Sequence, residues 1–287
     1  MSARAVVAVV SWNTRELLAG CLRSLEPDAR SGLAEVIVVD NGSTDGSREL
    51  VREEFGWARL IEPDENLGFG PAVNLAARES RSDWVAASNA DLEFEPGALA
   101  QLLEAGERSE RIGCVAPRLV LPDGSTQRSA YPFPGAAGYF AAALGLARAS
   151  NPGESAPIDW PVGALVVFRR EAFEEVGGFD ERQWMFAEDL DIGWRLARAG
   201  YERRYEPAAV VRHWESAATV AAFGAERTER TWAATYAWIA RRRGPVRARL
   251  YAACACAGTL VRMPFARGRE RERLRWWLRL HARGLRP

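Results

Sequence analysis

Ala5-Val-Val-Ala-Val-Val-Ser-Trp-Asn13 decides the fold class. Six consecutive small or β-branched apolar residues without polar alternation fit a strand buried on both faces, as in a parallel sheet. The run stops in Ser11, Trp12 and Asn13. Asn13 or Thr14 then stands where a helix N-cap belongs, ahead of Leu17, Leu18, Cys21, Leu22 and Leu25 at helical spacing. The pattern recurs downstream. Glu35–Val39 predicts a second buried strand closed by Asp40-Asn-Gly-Ser-Thr-Asp-Gly46, Ser47–Phe55 a second helix, and Arg59–Ile61 a short third strand. Asn66-Leu-Gly-Phe-Gly-Pro71 is a glycine loop centred on Gly68 and entering a helix through Val73, Leu75, Ala76 and Ala77. Asp83–Asn89 predicts a fourth strand, ending in Ala90-Asp91. Four strands linked by helices within about 90 residues require right-handed βαβ crossovers. The fold class is therefore α/β, a mostly parallel central sheet flanked by helices.

Ligands of such sheets sit beyond the carboxyl ends of the strands. Polar residues fall at those ends here: Ser11-Trp12-Asn13, Asp40-Asn41 and Asn89-Ala90-Asp91. Helix capping uses the same residue types, and it suits Asn13 and Ser43. It suits Asn89-Ala-Asp91 less, because Leu92-Glu-Phe-Glu-Pro follows and the next helix starts only near Pro96.

In the second half, Ile112–Leu121 and the turn Pro122-Asp-Gly-Ser predict antiparallel strands. Residues 129–158, rich in proline, glycine and aromatics, read as an irregular segment near the site or as a linker. Val162-Gly163-Ala-Leu-Val-Val-Phe168 predicts a strand, Arg170–Val176 a short helix, and Gly177-Gly178 a turn. Met185–Ala199 predicts a helix with acids in its first turn, arginine in its last and Gly200 just beyond, as the helix dipole favours. Pro207–Arg212 is a final strand that delivers His213, one of two histidines in the chain.

Asp91, Asn89 and His213 in one polar rim would supply a carboxylate, an amide oxygen and an imidazole, a set suited to Mn²⁺ or Mg²⁺ with substrate phosphates completing the shell. Glu188-Asp189 opens a helix, and complementing the dipole is worth only ~0.3–1 kcal/mol per acid. The preceding Trp184-Met-Phe186 sets a carboxylate against apolar neighbours, where desolvation raises its basicity. Asp189 is the better base candidate, although spacing alone does not choose between the two. Gly-x-Gly-x-x-Gly and Gly-x-x-x-x-Gly-Lys are both absent, so the usual dinucleotide and P-loop readings lose their motif.

The 287 residues are 48% hydrophobic and 26% charged, which excludes disordered, collagenous and disulfide-scaffold classes. Cys21, Cys114, Cys254 and Cys256 have neither Cys-x-x-Cys nor metal-ligand spacing and read as reduced residues. All 38 basic residues are arginine, and they are segregated: residues 1–240 hold 24 Arg against 36 acids, residues 241–287 hold 14 Arg against two Glu. An acidic body with a basic tail invites an anionic partner. Trp276-Trp277 among Arg271, Arg273, Arg275 and Arg279 matches the pairing of interfacial helices, so an anionic membrane face is the expected partner. Nucleic acid is the weaker reading, because the acidic body repels phosphate. No apolar run approaches the ~20 residues needed to cross a bilayer, and the N-terminus lacks a signal-peptide pattern. The expectation is a cytoplasmic protein, at most peripheral on the inner face of the cell membrane. The Trp-rich segment Thr231–Ile239 offers either a subunit interface of a homo-oligomer or a docking face for the tail.

Val6–Asn13, Val36–Asp45, Asn66-Leu-Gly-Phe, Asn89-Ala-Asp91, Gly177-Gly-Phe-Asp-Glu, Glu188-Asp189 and His213 occur in one order that resembles the inverting family 2 glycosyltransferases of GT-A fold, in particular the rhamnosyltransferase-like bacterial group. The resemblance spans about residues 5–220. It implies a GT-A domain over residues 1–225 and leaves residues 226–287 as a helical, arginine-rich extension. Asp40 would contact the nucleotide base, and Ser11, Asn13 and Asn66 would line the nucleoside pocket, with Gly68, Asn89 and Gly163 also on the nucleotide-sugar side. Asp91 would bind the metal that carries the diphosphate, and His213 would be a further ligand or touch the phosphates. Asp189 would be the catalytic base and Glu188 would position the acceptor or the helix. Asn89 stands where the family motif has Asp; a neutral amide removes one negative charge, so cation affinity should fall. Such Asn-x-Asp variants belong to the rhamnosyltransferase-like group, which favours a deoxysugar donor, dTDP-rhamnose, with a glycan or lipid-linked glycan acceptor in cell-envelope polysaccharide synthesis.

Two competing readings differ in class. A sugar nucleotidyltransferase would carry a glycine-rich basic loop after the first strand, where this chain has Ser11-Trp-Asn-Thr-Arg15. A non-catalytic, membrane-associated nucleotide-sugar-binding protein would not need Glu188-Asp189.

Overall fold

A computed structural model describes residues 3–146, 151–214 and 224–286. In chain order the elements are β1 (Ala5–Ser11), α1 (Arg15–Arg30), β2 (Ala34–Asp40), α2 (Ser47–Glu54), β3 (Arg59–Ile61), α3 (Phe69–Arg78), β4 (Trp84–Asn89), β5 (Leu92–Phe94), α4 (Ala98–Glu107) and β6 (Ile112–Val120). Then come β7 (Ala130–Tyr131), α5 (Ala136–Ala143), β8 (Ala156–Ile158), β9 (Trp160–Pro161), β10 (Leu165–Arg169), α6 (Arg170–Glu175), α7 (Glu188–Ala199) and β11 (Glu202–His213). Helices α8 (Arg227–Arg243), α9 (Pro245–Arg262) and α10 (Gly268–Arg283) close the chain. These elements form two compact units, Met1–Pro132 with Ser150–Ala222, and Phe133–Ala149 with Phe223–Pro287.

The first unit is built on one sheet in the order β3-β2-β1-β4-β10-β6-β11-β5, with β8 paired to β11. Strands β1 to β4 run parallel, as the sequence predicts. Alternate residues of β1 feed two cores: Val7 and Val9 pack with Leu18, Leu22 and Leu99 on one face, Val6 and Ala8 with Val73, Val85 and Phe168 on the other. With both faces buried, every position in the strand has to be apolar, hence the uninterrupted run.

The structure departs from expectation in four places. Strand β6 is antiparallel to β10 but parallel to β11, so the turn after it builds no hairpin partner beyond a single Val120–Thr126 bridge. Leu92–Phe94, read as connection, is a short strand antiparallel to the end of β11; three residues carry too little periodicity to announce themselves. Helix α7 begins at Glu188 rather than Met185, because Phe186 and Ala187 both take positive φ, 65° and 63°. The 129–158 stretch is neither one irregular segment nor a linker throughout: it holds β7, α5 and β8.

In the second unit, Trp238 is fully buried, and Trp232 and Tyr236 of α8 pack edge-on against His281 of α10. Trp277 stacks on His281 with ring centroids 5.4 Å apart. The Trp-rich segment is thus the face on which the terminal helix lies.

Gly106 tests the packing of α4. A Cβ there would lie 2.2 Å from the Trp84 ring, over which the Arg169 guanidinium sits at 4.7 Å. Helix propensity alone would make Gly106→Ala stabilising by ~1 kcal/mol, while overpacking a filled core costs ~1–3 kcal/mol. Gly106→Ala is expected to lower the urea midpoint, and a raised midpoint would show that the indole has room to move.

Candidate active site

The carboxyl ends of β1, β2 and β4 lie side by side, Ser11 opposite Asp40 and Val10 opposite Asn89. Asp40 is buried; its Oδ1 accepts from the Ser43 N–H at 2.8 Å and faces Arg48 Nε at 3.2 Å, while Oδ2 has no partner. Ser11 is fully buried with its hydroxyl 3.2 Å from that of Thr14. Asn13 and Ser43 do not cap helices. Asn13 takes φ 52°, its Oδ1 accepts from the Thr44 N–H at 2.8 Å, and its N–H donates to Ser43 Oγ at 2.9 Å. The α1 N-cap is Thr14, which makes no side-chain cap bond. These polar groups brace the loop after β2 against the loop after β1.

The glycine loop is fastened from two sides. Asn41 Nδ2 donates to the Gly68 carbonyl at 3.1 Å, and Asn66 Oδ1 accepts from the Gly68 N–H at 2.9 Å. From the segment before α7, Trp184 Nε1 donates to the Asn66 carbonyl at 3.2 Å. Gly68 sits at φ 83°, ψ 179°, a region open essentially to glycine alone. Asn74 fixes the base of the same segment: within α3 it accepts from the Phe179 N–H at 2.9 Å and donates to the Phe179 carbonyl at 2.9 Å. A buried amide among Ala72, Val73, Ala76 and Ala77 was the sequence signal for that role.

Asp91 and His213 meet because Trp214 N–H donates to the Asp91 carbonyl at 3.0 Å and His213 pairs with Leu92 across β5 and β11. His213 Nδ1 lies 2.6 Å from Gln127 Oε1, an acceptor, so Nδ1 carries the hydrogen. A ring with its hydrogen on Nδ1 alone would present a lone pair at Nε2, 3.4 Å from Asp91 Oδ1. Both atoms are buried and neither has a hydrogen-bond partner. In that form two acceptors face each other across a gap that a cation would satisfy, with Gln127 setting the imidazole as second-sphere partners of metal-bound histidines do. The residues therefore fit a divalent ion. Among the described residues no three His, Cys, Asp or Glu side chains gather around one point. Gln127 lies in a loop without motif, and nothing in the sequence singled it out.

Backbone ties link this gap to the acidic helix start. The Asn89 N–H donates to the Ala164 carbonyl at 2.9 Å, and the adjacent Gly163 N–H donates to Asp189 Oδ2 at 2.9 Å. The Leu190 N–H donates to Asp189 Oδ1 at 2.7 Å. Asp189 lines a small cavity with Ala87, Val166, Phe168, Phe179 and Ile192. Burial pushes its carboxyl above the usual range despite those two donors. Burial, and then the neighbouring Asp189 charge, raises Glu188 as well, and Glu188 Oε2 has no partner. Of the Trp184–Phe186 stretch expected to supply that desolvation, Trp184 is exposed and hydrogen-bonds the glycine loop. Asp191 is buried and paired with Arg195 at 2.7 Å.

The model of glycosyl transferase family 2 matches residues 6–177, well over half of the chain. The chain belongs to glycosyl transferase family 2. The model of a related glycosyl transferase group matches residues 94–282. Over 207 residues the chain is 36% identical to an N-acetylglucosaminyl-diphospho-decaprenol L-rhamnosyltransferase of Mycobacterium tuberculosis, covering 64% of this chain and 67% of that one. Among solved structures, a mannosyltransferase of Pyrobaculum calidifontis in complex with GDP-Man and Mn²⁺ superposes with a TM-score of 0.61 at 19% identity, over 99% of this chain and 86% of the other. GalNAc-T7 with UDP, GalNAc and Mn²⁺ gives 0.59 at 18%, over 74% of this chain and 44% of that. The fold is GT-A and the protein is a glycosyltransferase, which sets aside the nucleotidyltransferase and non-catalytic readings.

Gly68 is closely packed in this family 2 site. A Cβ there would sit 2.1 Å from the Trp184 carbonyl oxygen. Gly42, also at positive φ, has open space instead. Gly42→Ala should cost ~1 kcal/mol and Gly68→Ala ~2–4 kcal/mol, since strain and clash combine. Equal losses in denaturant titrations of the two variants would show that Trp184 yields freely.

Proposed function

We propose that this glycosyltransferase transfers L-rhamnose from dTDP-rhamnose to a hydroxyl of a lipid-linked glycan by single displacement with inversion, in cell-envelope polysaccharide synthesis. One observation carries the chemistry: Asp189 is held by two backbone N–H groups beside an apolar cavity, in a state that favours its taking a proton near neutral pH. Its carboxylate removes the acceptor hydroxyl's proton as that oxygen attacks the anomeric carbon. The bond from anomeric carbon to diphosphate breaks, and the nucleoside diphosphate leaves from the opposite face. The donor sugar and acceptor are supported by the name of the M. tuberculosis relative, which transfers L-rhamnose to N-acetylglucosaminyl-diphospho-decaprenol.

The remaining roles follow position. Asp40, with its unpartnered buried Oδ2, takes the base. Ser11 and Asn13 shape the nucleoside pocket from β1, and Asn66 and Gly68 close it from the glycine loop. Asn89 and Gly163 hold the sugar between the strand end and Asp189. Asp91 and His213 hold a Mn²⁺ or Mg²⁺ ion, which when bound neutralises the charge of the departing diphosphate. With Asn89 neutral, that ion binds more weakly than at a site with two carboxylates. Glu188 positions the acceptor. Residues 1–225 make up the catalytic domain and 226–287 the extension. Among the described residues no helix is long and apolar enough to cross a membrane, so reaching a lipid-linked acceptor calls for peripheral attachment.

Asp189→Asn is expected to reduce kcat by roughly 10²–10⁴ with little change in nucleotide affinity, and normal turnover by this variant would sink the assignment. For the parent enzyme, deprotonation switches the base on, so the rate rises with pH, and its acid limb should lie above the ordinary carboxylate value of about 4. Mn²⁺ should tighten dTDP in a tryptophan-fluorescence titration and lose that effect in Asp91→Asn. Affinity indifferent to Mn²⁺ in the parent would remove the metal roles of Asp91 and His213.

A further inference from the structure

Helix α9 divides its surface in an unusual way. Ala248, Tyr251, Ala252, Ala255, Gly258 and Thr259 are buried. Gly258 comes so close to α5 that a Cβ there would touch Ala143 and the Phe140 carbonyl, at 2.7 and 2.8 Å. The opposite face, at spacings of three and four, is Val246, Leu250, Ala253, Ala257, Leu260 and Val261, all exposed and all apolar. Phe265, in the short 3₁₀ turn that follows, is 84% exposed, and Val246 is 73% exposed. A scattered exposed leucine needs no explanation. A stripe running the 18-residue length of a helix, ending in a bare phenylalanine, does.

Charge says what covers it. Exposed Arg247 and Arg249 flank the stripe one on each side at helical spacing, and exposed Arg267 and Arg269 follow Phe265. Beyond residue 240 the chain carries 14 Arg against two Glu. An apolar strip edged with arginine lies in the interfacial plane of a bilayer, its side chains in the acyl boundary and its guanidinium groups at anionic headgroups. Across a second copy of the same surface, the arginines would repel one another. The helix does not span, since among the described residues none is long and apolar enough. Of the two tryptophans that the sequence nominates for this role, Trp277 is engaged within the helices, stacked on His281 and edge-on to Trp232.

We propose that α9 and the turn carrying Phe265 form an interfacial docking face for an anionic phospholipid surface, and that α10 supports α9 rather than inserting itself. The inference rests on exposure and charge alone and does not depend on which sugar or acceptor the enzyme uses. Flotation of the full chain tests it without any nucleotide sugar. The protein should float with vesicles of phosphatidylcholine containing phosphatidylglycerol as the minority lipid, float weakly with phosphatidylcholine alone, and detach as salt is raised. L250E combined with F265E should lower the vesicle-bound to free ratio at least about tenfold. L285E, outside the stripe, should leave it unchanged. Thermal unfolding of each variant shows that it is folded, as expected of exposed positions. Flotation of the double variant equal to the parent's overturns the proposal, and so does equal binding to both vesicle types. A parent that sediments as a dimer and a double variant that sediments as a monomer would also overturn it, since the stripe would then be a seam between copies.

Discussion

Strand β1 is held between β2 and β4 in a register that sets Ser11 beside Asp40 and Val10 beside Asn89, and the rest of the site depends on that pairing. The register is enforced from both faces. Residues 6 and 8 belong to one core and residues 7 and 9 to the other, so a slip by one residue would exchange the two sets against cores that do not fit them. Close packing makes the exchange costly, since a single misplaced methylene is felt. The three strand ends therefore stop at one level, and the loops that follow begin from a common edge. That edge is what lets Asn13 reach Thr44 and Asn41 reach Gly68.

The half of the molecule built this way was legible from sequence because burial on both faces leaves a one-dimensional trace: a run of Val, Ile and Ala that ends in a polar residue. β5 leaves no such trace. It is three residues long and exists because β11 passes beside it, a contact between positions 92–94 and 211–213. The metal gap shows the same limit. Asp91 and His213 stood out as residue types, but the partner that fixes the imidazole, Gln127, lies in a loop 86 residues away from it in sequence. In the acidic helix start the sequence located the carboxylates and misattributed their surroundings, since Trp184 turns to the glycine loop and the apolar wall at Asp189 comes from β4, β10 and α7. Nearest neighbours in sequence are a poor guide to a side chain's solvent when the backbone reverses at two residues with positive φ.

Polar satisfaction is distributed in a telling way. Among the described residues, the buried carboxylate and imidazole atoms without a hydrogen-bond partner are Asp40 Oδ2, Asp91 Oδ1, Glu188 Oε2 and His213 Nε2. Each lies at a strand end or helix start assigned above to donor, metal or acceptor. Elsewhere the acids are served: Glu206, buried within β11, faces Arg108 at 2.8 Å, and Asp191 faces Arg195. Leaving a buried polar atom unpaired costs ~1–3 kcal/mol, and that cost is recovered when a ligand supplies the missing partner. A fold that satisfies its structural carboxylates and withholds partners from these four has put its unpaired carboxylate and imidazole atoms where a ligand would meet them.

Glu188 and Asp189 set stability against activity. Their carboxyls are raised by burial, so the folded state holds protons that the unfolded chain has already released. The contribution of these two groups to stability is then greatest below the ordinary carboxylate range and falls as pH rises through their raised values in the folded protein. Asp189, as the proposed base, would work only in the deprotonated form, on the upper side of that window, where the folded state has lost this contribution. Two backbone donors, Gly163 and Leu190, limit the loss by stabilising the Asp189 carboxylate, and Glu188 Oε2 has none. The division fits the roles given to the two acids: the one that must ionise to take a proton is supplied with donors, and the one beside it stays protonated to higher pH and keeps a second negative charge away from the base.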